Sequence, residues 1–391
     1  MYQLTLDVYQ SAGLGAAVLA LGILILKQSP LMKRFCVPSA VIGGLIFSIL
    51  ALVLYKMDVV EITFDDTLKD VCMRVFFCSI GFMASLSMLK KGGKILIILV
   101  VLLAALVLSQ NFLGIAVMTA FGLDPLYGLA VGSISLSGGH GTAAAYGEIL
   151  VDHGLVGGDV VAVAAATFGL AIASLLGAPM AKRLVDRYKL EPSGEVIEET
   201  KKEEKSILND SFLWAMILIV ISLGVGTLIN DAFKSVGIAL PSYLGALVVA
   251  IVIRNVADWR KHDMPYREID VLGWICLSLF LAMALMSMKL WQLEGLALPM
   301  IAALVIQTLF LLFFTAVIVF RMTGKTYESA ALSSGFMGFG MGATPNAVAN
   351  VEALMSKFGP APMAYFLVPL TGGVFLDVIN VTILTGFFNV L

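Results

Sequence analysis

The sequence predicts an all-α polytopic membrane protein built as two inverted-topology repeats of five transmembrane helices, each repeat with a re-entrant loop. Three observations lead there. Hydrophobic residues make up 60% of the 391 and charged residues 13%, with a mean hydropathy of +0.98, whereas a soluble domain is about one quarter charged. Apolar runs of bilayer-spanning length, about twenty residues, recur along the whole chain. Each half also holds one run too rich in glycine to cross as a regular helix, since glycine costs about 1 kcal/mol against alanine in a helix interior: Ser133-Ile-Ser-Leu-Ser137-Gly138-Gly139-His140-Gly141-Thr142 and Ser333-Ser334-Gly335-Phe-Met-Gly338-Phe-Gly340-Met-Gly342-Ala343-Thr344-Pro345-Asn346.

Taken in order, the predicted crossings are 8–26, 37–55, 68–89 and 94–121, then a segment over 128–147 that enters and turns back, then 159–185. Residues 186–210, dominated by Glu and Lys, break the apolar signal and read as a cytoplasmic linker. Crossings resume at 211–230, 240–257, 269–288 and 296–321, followed by a second broken run at 329–353 and a last crossing at 361–388. The domains expected are an N-terminal repeat, 1–185, and a C-terminal repeat, 211–391. Met1–Asp7 holds no basic residue ahead of the first apolar run, so the first helix is expected to be retained rather than cleaved as a signal peptide. Cys36, Cys72, Cys78 and Cys276 lack CxxC spacing and read as small buried apolar residues.

Charge placement tests the topology, because cytoplasmic loops hold the excess of Lys and Arg. An odd number of crossings per half turns the halves over. With both termini outside, the cytoplasmic side receives most of the 25 basic residues, including the groups at Lys33–Arg34, Lys90–Lys94, Lys182–Lys189, Lys201–Lys205 and Arg254–Arg267. The outside receives Lys56, Lys69, Lys234 and Lys289, and Arg74 falls inside the third crossing. Letting both broken runs cross fully would put the clusters 182–189 and 254–267 outside. Matches between the halves support a duplication: Val37-Pro38-Ser39-Ala40 with Leu240-Pro241-Ser242-Tyr243, and Met83-Ala84-Ser85-Leu86-Ser87-Met88 with Met283-Ala284-Leu285-Met286-Ser287-Met288. Inverted repeats with paired, glycine-interrupted segments are the pattern of secondary transporters.

The broken runs suggest their own chemistry. Thr344 before Pro345 is a helix-start signal, threonine as N-cap and proline at the first helical position. Thr142 is expected to cap in the same way. Helix starts at membrane depth leave N–H groups that must face protein or a polar cavity, and such starts attract anions. Ser137, Gly138, Gly139, His140, Gly141 and Thr142 are therefore expected on one side of a substrate site, with Gly340, Gly342, Ala343, Thr344, Pro345 and Asn346 on the other. A carboxylate with amide and hydroxyl oxygens nearby suits a hard cation such as sodium or a proton carrier, so the coupling ion is expected near Asp377, Asn380, Gln110, Asn111, Thr167 and Gln307. Neither glycine cluster has the Lys-Ser/Thr of a nucleotide loop, which points to a gradient rather than ATP as the energy source. The net charge of -2 gives no footprint for nucleic acid, and no organic cofactor is expected.

These residues resemble a known family. Ser137-Gly-Gly-His-Gly-Thr142, Ala166-Thr-Phe-Gly-Leu170, Leu277-Ser-Leu-Phe-Leu-Ala-Met-Ala-Leu-Met286, Gly338-Phe-Gly-Met-Gly-Ala-Thr-Pro345 and Phe375-Leu-Asp-Val-Ile-Asn380 look like the bacterial sodium/glutamate symporters of the glutamate:sodium symporter family. The resemblance implies sodium-coupled uptake of L-glutamate across the bacterial cytoplasmic (inner) membrane, with the two glycine motifs forming the substrate site. It also implies a homodimer in which one domain moves against a fixed scaffold. Val37-Pro-Ser-Ala40 departs from the family pattern, which has an acidic residue after the proline. The residues alone leave open proton coupling, aspartate or another small dicarboxylate as substrate, a passive anion channel, and an intramembrane enzyme using Ser137 with His140 as its base.

Overall fold

Helix α1, Val8–Gln28, starts at a capping box: Asp7 Oδ1 accepts the Gln10 N–H at 2.8 Å while Gln10 Oε1 accepts the Asp7 N–H at 3.1 Å. The computed structural model to which it belongs describes residues 2–30, 32, 37–86, 93–192, 209–235, 241–293 and 295–391. The helices that follow are α2 (Ser39–Lys56), α3 (Thr67–Met83), α4 (Gly93–Ala120), α5 (Leu126–Ala130), α6 (Gly139–Asp152) and α7 (Gly158–Tyr188). After them come α8 (Asn209–Ser235), α9 (Leu244–Arg260), α10 (Tyr266–Met286), α11 (Ala297–Met322), α12 (Tyr327–Gly340), α13 (Thr344–Phe358) and α14 (Pro362–Phe388). Among the described residues 8 helices are long and apolar enough to cross a membrane: α1, α2, α4, α7, α8, α10, α11 and α14. The predicted crossings 68–89 and 240–257 correspond to α3 and α9, helices of 17 residues each.

Each predicted crossing is therefore matched by a helix. The predicted linker begins later than expected, since α7 runs on to Tyr188; its residues 193–208, with Lys201, Lys202 and Lys205, lie outside the described residues. Lys33, Arg34, Cys36, Lys90 and Lys91 lie outside them too. Cys72 and Cys78 are buried, as their apolar reading expected, and Cys276 is partly so. One element was not anticipated. Strands β1 (Tyr2–Thr5) and β2 (Val60–Thr63) pair in parallel, with Tyr2 opposite Val60 and Thr5 opposite Thr63. Four-residue strands give too short a pattern to read, and their pairing is set by the ends of α1 and α2 rather than by local preference.

The helices gather into two compact units, each drawn from both halves of the chain. Unit 1 contains α1, α2, α3, α8, α9 and α10. Its packing survives exchange of the two sets of three: α1 lies on α2 as α8 lies on α9, α2 on α10 as α9 on α3, and α3 packs against α10. Phe77 stacks on Tyr243 at 3.9 Å in its interior, and Ser48 Oγ donates to the carbonyls of Gly44 and Leu285.

A polar clamp closes one end of this unit. Beyond the end of α3 the backbone leaves the helical ladder at Ala84, and α9 supplies the missing partners. Arg254 donates through Nη1 to the Phe82 carbonyl at 3.3 Å and through Nε to Asp258 Oδ2 at 3.2 Å, with its guanidinium 3.7 Å from the centre of the Tyr266 ring. Asn255 donates to the Ala84 carbonyl at 3.0 Å and accepts the Leu86 N–H at 2.8 Å. Ser85 Oγ and Tyr266 OH both donate to the Asp258 carboxylate. Replacing Arg254 by Met keeps the apolar stem and removes the donors, so thermal unfolding in detergent is expected to show a loss of about 1–3 kcal/mol, the cost of leaving buried polar partners unmet.

Unit 2 contains α4, α5, α6, α7, α11, α12, α13 and α14. Every residue of α12 is buried, and α7 packs against α6, α12 and α13. Both α11 and α14 widen into π-helical turns, at Phe314–Val319 and Thr371–Phe375. Such turns shift the register of hydrogen bonding and occur often near functional sites.

Candidate functional site

Both glycine clusters lie in unit 2, and they meet. The first run descends through α5 and an irregular helical stretch, where Leu136 N–H reaches the Gly132 carbonyl at 3.0 Å and Gly138 N–H reaches back five residues to Ser133 at 2.8 Å. The chain breaks at Gly139, whose φ of +62° disfavours any residue with a Cβ. A Cβ there would lie 3.1 Å from the Gly342 carbonyl oxygen, so the breaks in the two runs are in contact. The second run breaks between α12 and α13, where the Met341 carbonyl sits where a Cβ on Gly169 of α7 would be. Glycine at 169 is what lets this backbone approach.

The helix starts differ from the sequence expectation. Thr142 is not a cap: α6 begins three residues earlier, at Gly139 with Gly138 as its N-cap, because the two glycines accept the turn and the Thr142 methyl packs back onto Gly138. The ladder resumes with Thr142 N–H to the Gly138 carbonyl at 3.4 Å, leaving the His140 and Gly141 N–H groups with no backbone partner among the described residues. Thr344 is likewise the first residue of α13 rather than its N-cap, which is Ala343 in an extended conformation; Pro345 is second. Proline still sits where its missing N–H costs nothing.

Side-chain amides tie the breaks together. Gln110 on α4 donates to the Gly340 carbonyl at 2.7 Å and accepts from Ser137 Oγ at 2.6 Å, bridging the two runs with one side chain. Gln307 on α11 donates to the Gln110 backbone carbonyl at 2.7 Å. Asn111 Oδ1 accepts the Ser133 N–H at 2.9 Å, and Asn380 Nδ2 donates to the Ser133 carbonyl at 3.0 Å. Asn346 donates to the Leu170 carbonyl at 3.2 Å and to Ser174 Oγ, anchoring α13 on α7. His140, 5% exposed, pairs through Nε2 with Thr167 Oγ1 at 3.0 Å. The Thr167 hydroxyl proton goes to the Val163 carbonyl at 2.9 Å, so this network assigns the proton to Nε2 of a histidine that donates to Thr167.

Ser137 donates to Gln110 and His140 to Thr167 rather than to each other, so the pair required by the intramembrane-enzyme alternative is not formed. Of the expected cation residues, Gln110, Asn111, Gln307 and Asn380 share one polar knot, while Thr167 is engaged with His140. Asp377 stands one turn before Asn380, half-buried, and takes part in none of these hydrogen bonds. Ser133, Ser174, Asn350 and Gly169 belong to the same surroundings and were not singled out from sequence. Ser133 had a visible signal, a hydroxyl in the first broken run, and Gly169 lay in the motif Ala166-Thr-Phe-Gly-Leu170 with no role of its own assigned.

A model of the sodium/glutamate symporter family matches residues 4–360. The chain belongs to that family. Relatives named sodium/glutamate symporter come from Haemophilus influenzae, 37% identical over 396 residues with 99% of this chain and 98% of the relative aligned, and from Escherichia coli K12, 37% identical over 388 residues with 97% and 96% aligned. This symporter is thus a multi-pass membrane transporter and not an enzyme. Gln110→Leu in this symporter leaves the Gly340 carbonyl and Ser137 hydroxyl without their partner, and is expected to lower stability by about 1–3 kcal/mol and to depress transport. Thermal unfolding and initial uptake rates of the purified variant measure both.

Proposed function

We propose that this protein couples sodium entry to uptake of L-glutamate across the bacterial cytoplasmic membrane by alternating access, with unit 2 as the moving transport domain and unit 1 as the scaffold of a homodimer. The observation that carries the reading is the contact between the two glycine breaks at Gly139 and Gly342, within a chain whose relatives are named for sodium and glutamate. The two breaks set two helix starts side by side, and the bare N–H groups of His140 and Gly141 are directed donors for a carboxylate. L-Glutamate offers one carboxylate to Gly138–Thr142 and the other to Gly340–Asn346. His140, holding its ring on Thr167, lines this pocket.

In this reading the halves are inverted repeats, both broken runs are re-entrant, and both termini face outside. The exchange symmetry of packing in unit 1 supports the repeat, and the distribution of Lys and Arg supports the orientation. Sodium enters bound beside the substrate, near the amide knot and Asp377. Because glutamate carries a single net negative charge, more than one sodium per cycle moves positive charge inward, and each charge gains about 2.3 kcal/mol per 100 mV.

Purified protein in sealed liposomes tests the proposal. Labelled L-glutamate is expected to accumulate under an inward sodium gradient, not under potassium or proton gradients, and faster when the interior is made negative. Uptake indifferent to sodium, or preference for citrate over glutamate, overturns it.

A further inference from the structure

We infer that the coupling ion is held by three neutral oxygens, Ser133 Oγ, Gln307 Oε1 and Asn380 Oδ1, while Gln110 and Thr167 are supports rather than ligands; the inference rests on the sodium-coupled reading above. All three oxygens belong to side chains at most 1% exposed, and none has a hydrogen-bond partner among the described residues. Orphaned buried polar atoms are few in native proteins and call for an explanation. Here three of them sit in the same polar knot.

Their orientations are fixed by the other end of each group. The Asn380 amide spends its NH2 on the Ser133 carbonyl at 3.0 Å, and Gln307 spends its own on the Gln110 carbonyl at 2.7 Å. Turning either amide over would set oxygen against oxygen, so each must present its carbonyl to whatever fills the knot. The knot is small. A Cβ on Gly132 would lie 2.9 Å from Asn111 Oδ1 and 3.0 Å from the Gln110 carbonyl, the same carbonyl that Gln307 meets, and Ser133 is the next residue.

The remaining polar atoms sort by what they already do. Both ends of the Gln110 amide are used, on Gly340 and Ser137, and the Thr167 hydroxyl is used between His140 and Val163. Asn111 spends its oxygen on the Ser133 N–H, leaving Nδ2 without a partner among the described residues. As a donor it cannot ligate a cation, and it suits a water in the ion's shell. Hard cations take carbonyl and hydroxyl oxygens, and a cage of neutral oxygens leaves the charge of the ion uncancelled, which favours a monovalent ion over a divalent one.

Ser133→Ala removes one oxygen and no existing hydrogen bond. The test is thermal unfolding of detergent-solubilised protein in sodium chloride against potassium chloride, together with sodium-dependent glutamate uptake in liposomes. Wild type is expected to be stabilised by sodium. Ser133→Ala is expected to unfold as wild type does in potassium, yet to need about tenfold more sodium for half-maximal stabilisation and uptake, as loss of a metal-site contact commonly costs. Ser133→Cys, of similar size but with a soft sulfur, is expected to show the same shift and serves if the alanine variant folds poorly; Ser109→Ala on α4 is expected to change neither quantity. Wild-type sodium dependence in both Ser133 variants and in Gln307→Met overturns the cage while leaving sodium coupling intact. Glutamate uptake by wild type with no response to sodium removes the coupling itself.

Discussion

Backbone N–H and C=O groups at membrane depth have no water to bond, so each must find a partner in the protein or face a polar cavity. Unit 2 interrupts two helices in its interior and must meet that demand twice. It does so with side-chain amides and hydroxyls rather than with regular ladders: Gln110 takes the Gly340 carbonyl, Asn111 the Ser133 N–H, Asn380 the Ser133 carbonyl. Gln110 and Asn111 of α4 and Asn380 of α14 are thereby explained together. They are the replacement for the hydrogen bonds that the glycines remove.

The same demand shapes unit 1 differently. There the break is at a helix end, after α3, where Arg254, Asn255 and Asp258 of α9 meet the Phe82 and Ala84 carbonyls, the Leu86 N–H and the Ser85 hydroxyl. Among the described residues, unit 2 leaves donors at His140 and Gly141 and oxygens at Ser133, Gln307 and Asn380 unmet. Such a clamp suits a rigid element. Incomplete satisfaction at the centre of unit 2 suits a place that a solute and an ion complete.

Much of the fold was legible in the sequence because the bilayer constrains length and composition so tightly. Runs such as Val8–Leu26 and Lys94–Phe121 appear as helices with ends shifted by a few residues. The glycine clusters were legible for the same reason in reverse, since an apolar run that cannot be a good helix is conspicuous. The caps were misplaced by local reasoning: threonine before alanine or proline is a fair start signal, but a pair of glycines at Gly138–Gly139 tolerates a turn that no propensity scale weighs against it. The short β1–β2 pair was missed because parallel pairing across nearly sixty residues leaves no local trace.

By itself the sequence determined the solvent, the order of the long apolar helices and the two glycine breaks, since these follow from composition, period and the steric freedom of glycine. Only the tertiary structure decided that helices of both halves mix in each unit, that Gly139 touches Gly342, and that Gln110 bridges the breaks while Gln307 keeps an oxygen unpaired. The reason is physical. An amide in an apolar helix states that a partner is needed, but which of its two ends is satisfied depends on the atoms that packing brings within about 3 Å, and no spacing along the chain encodes that.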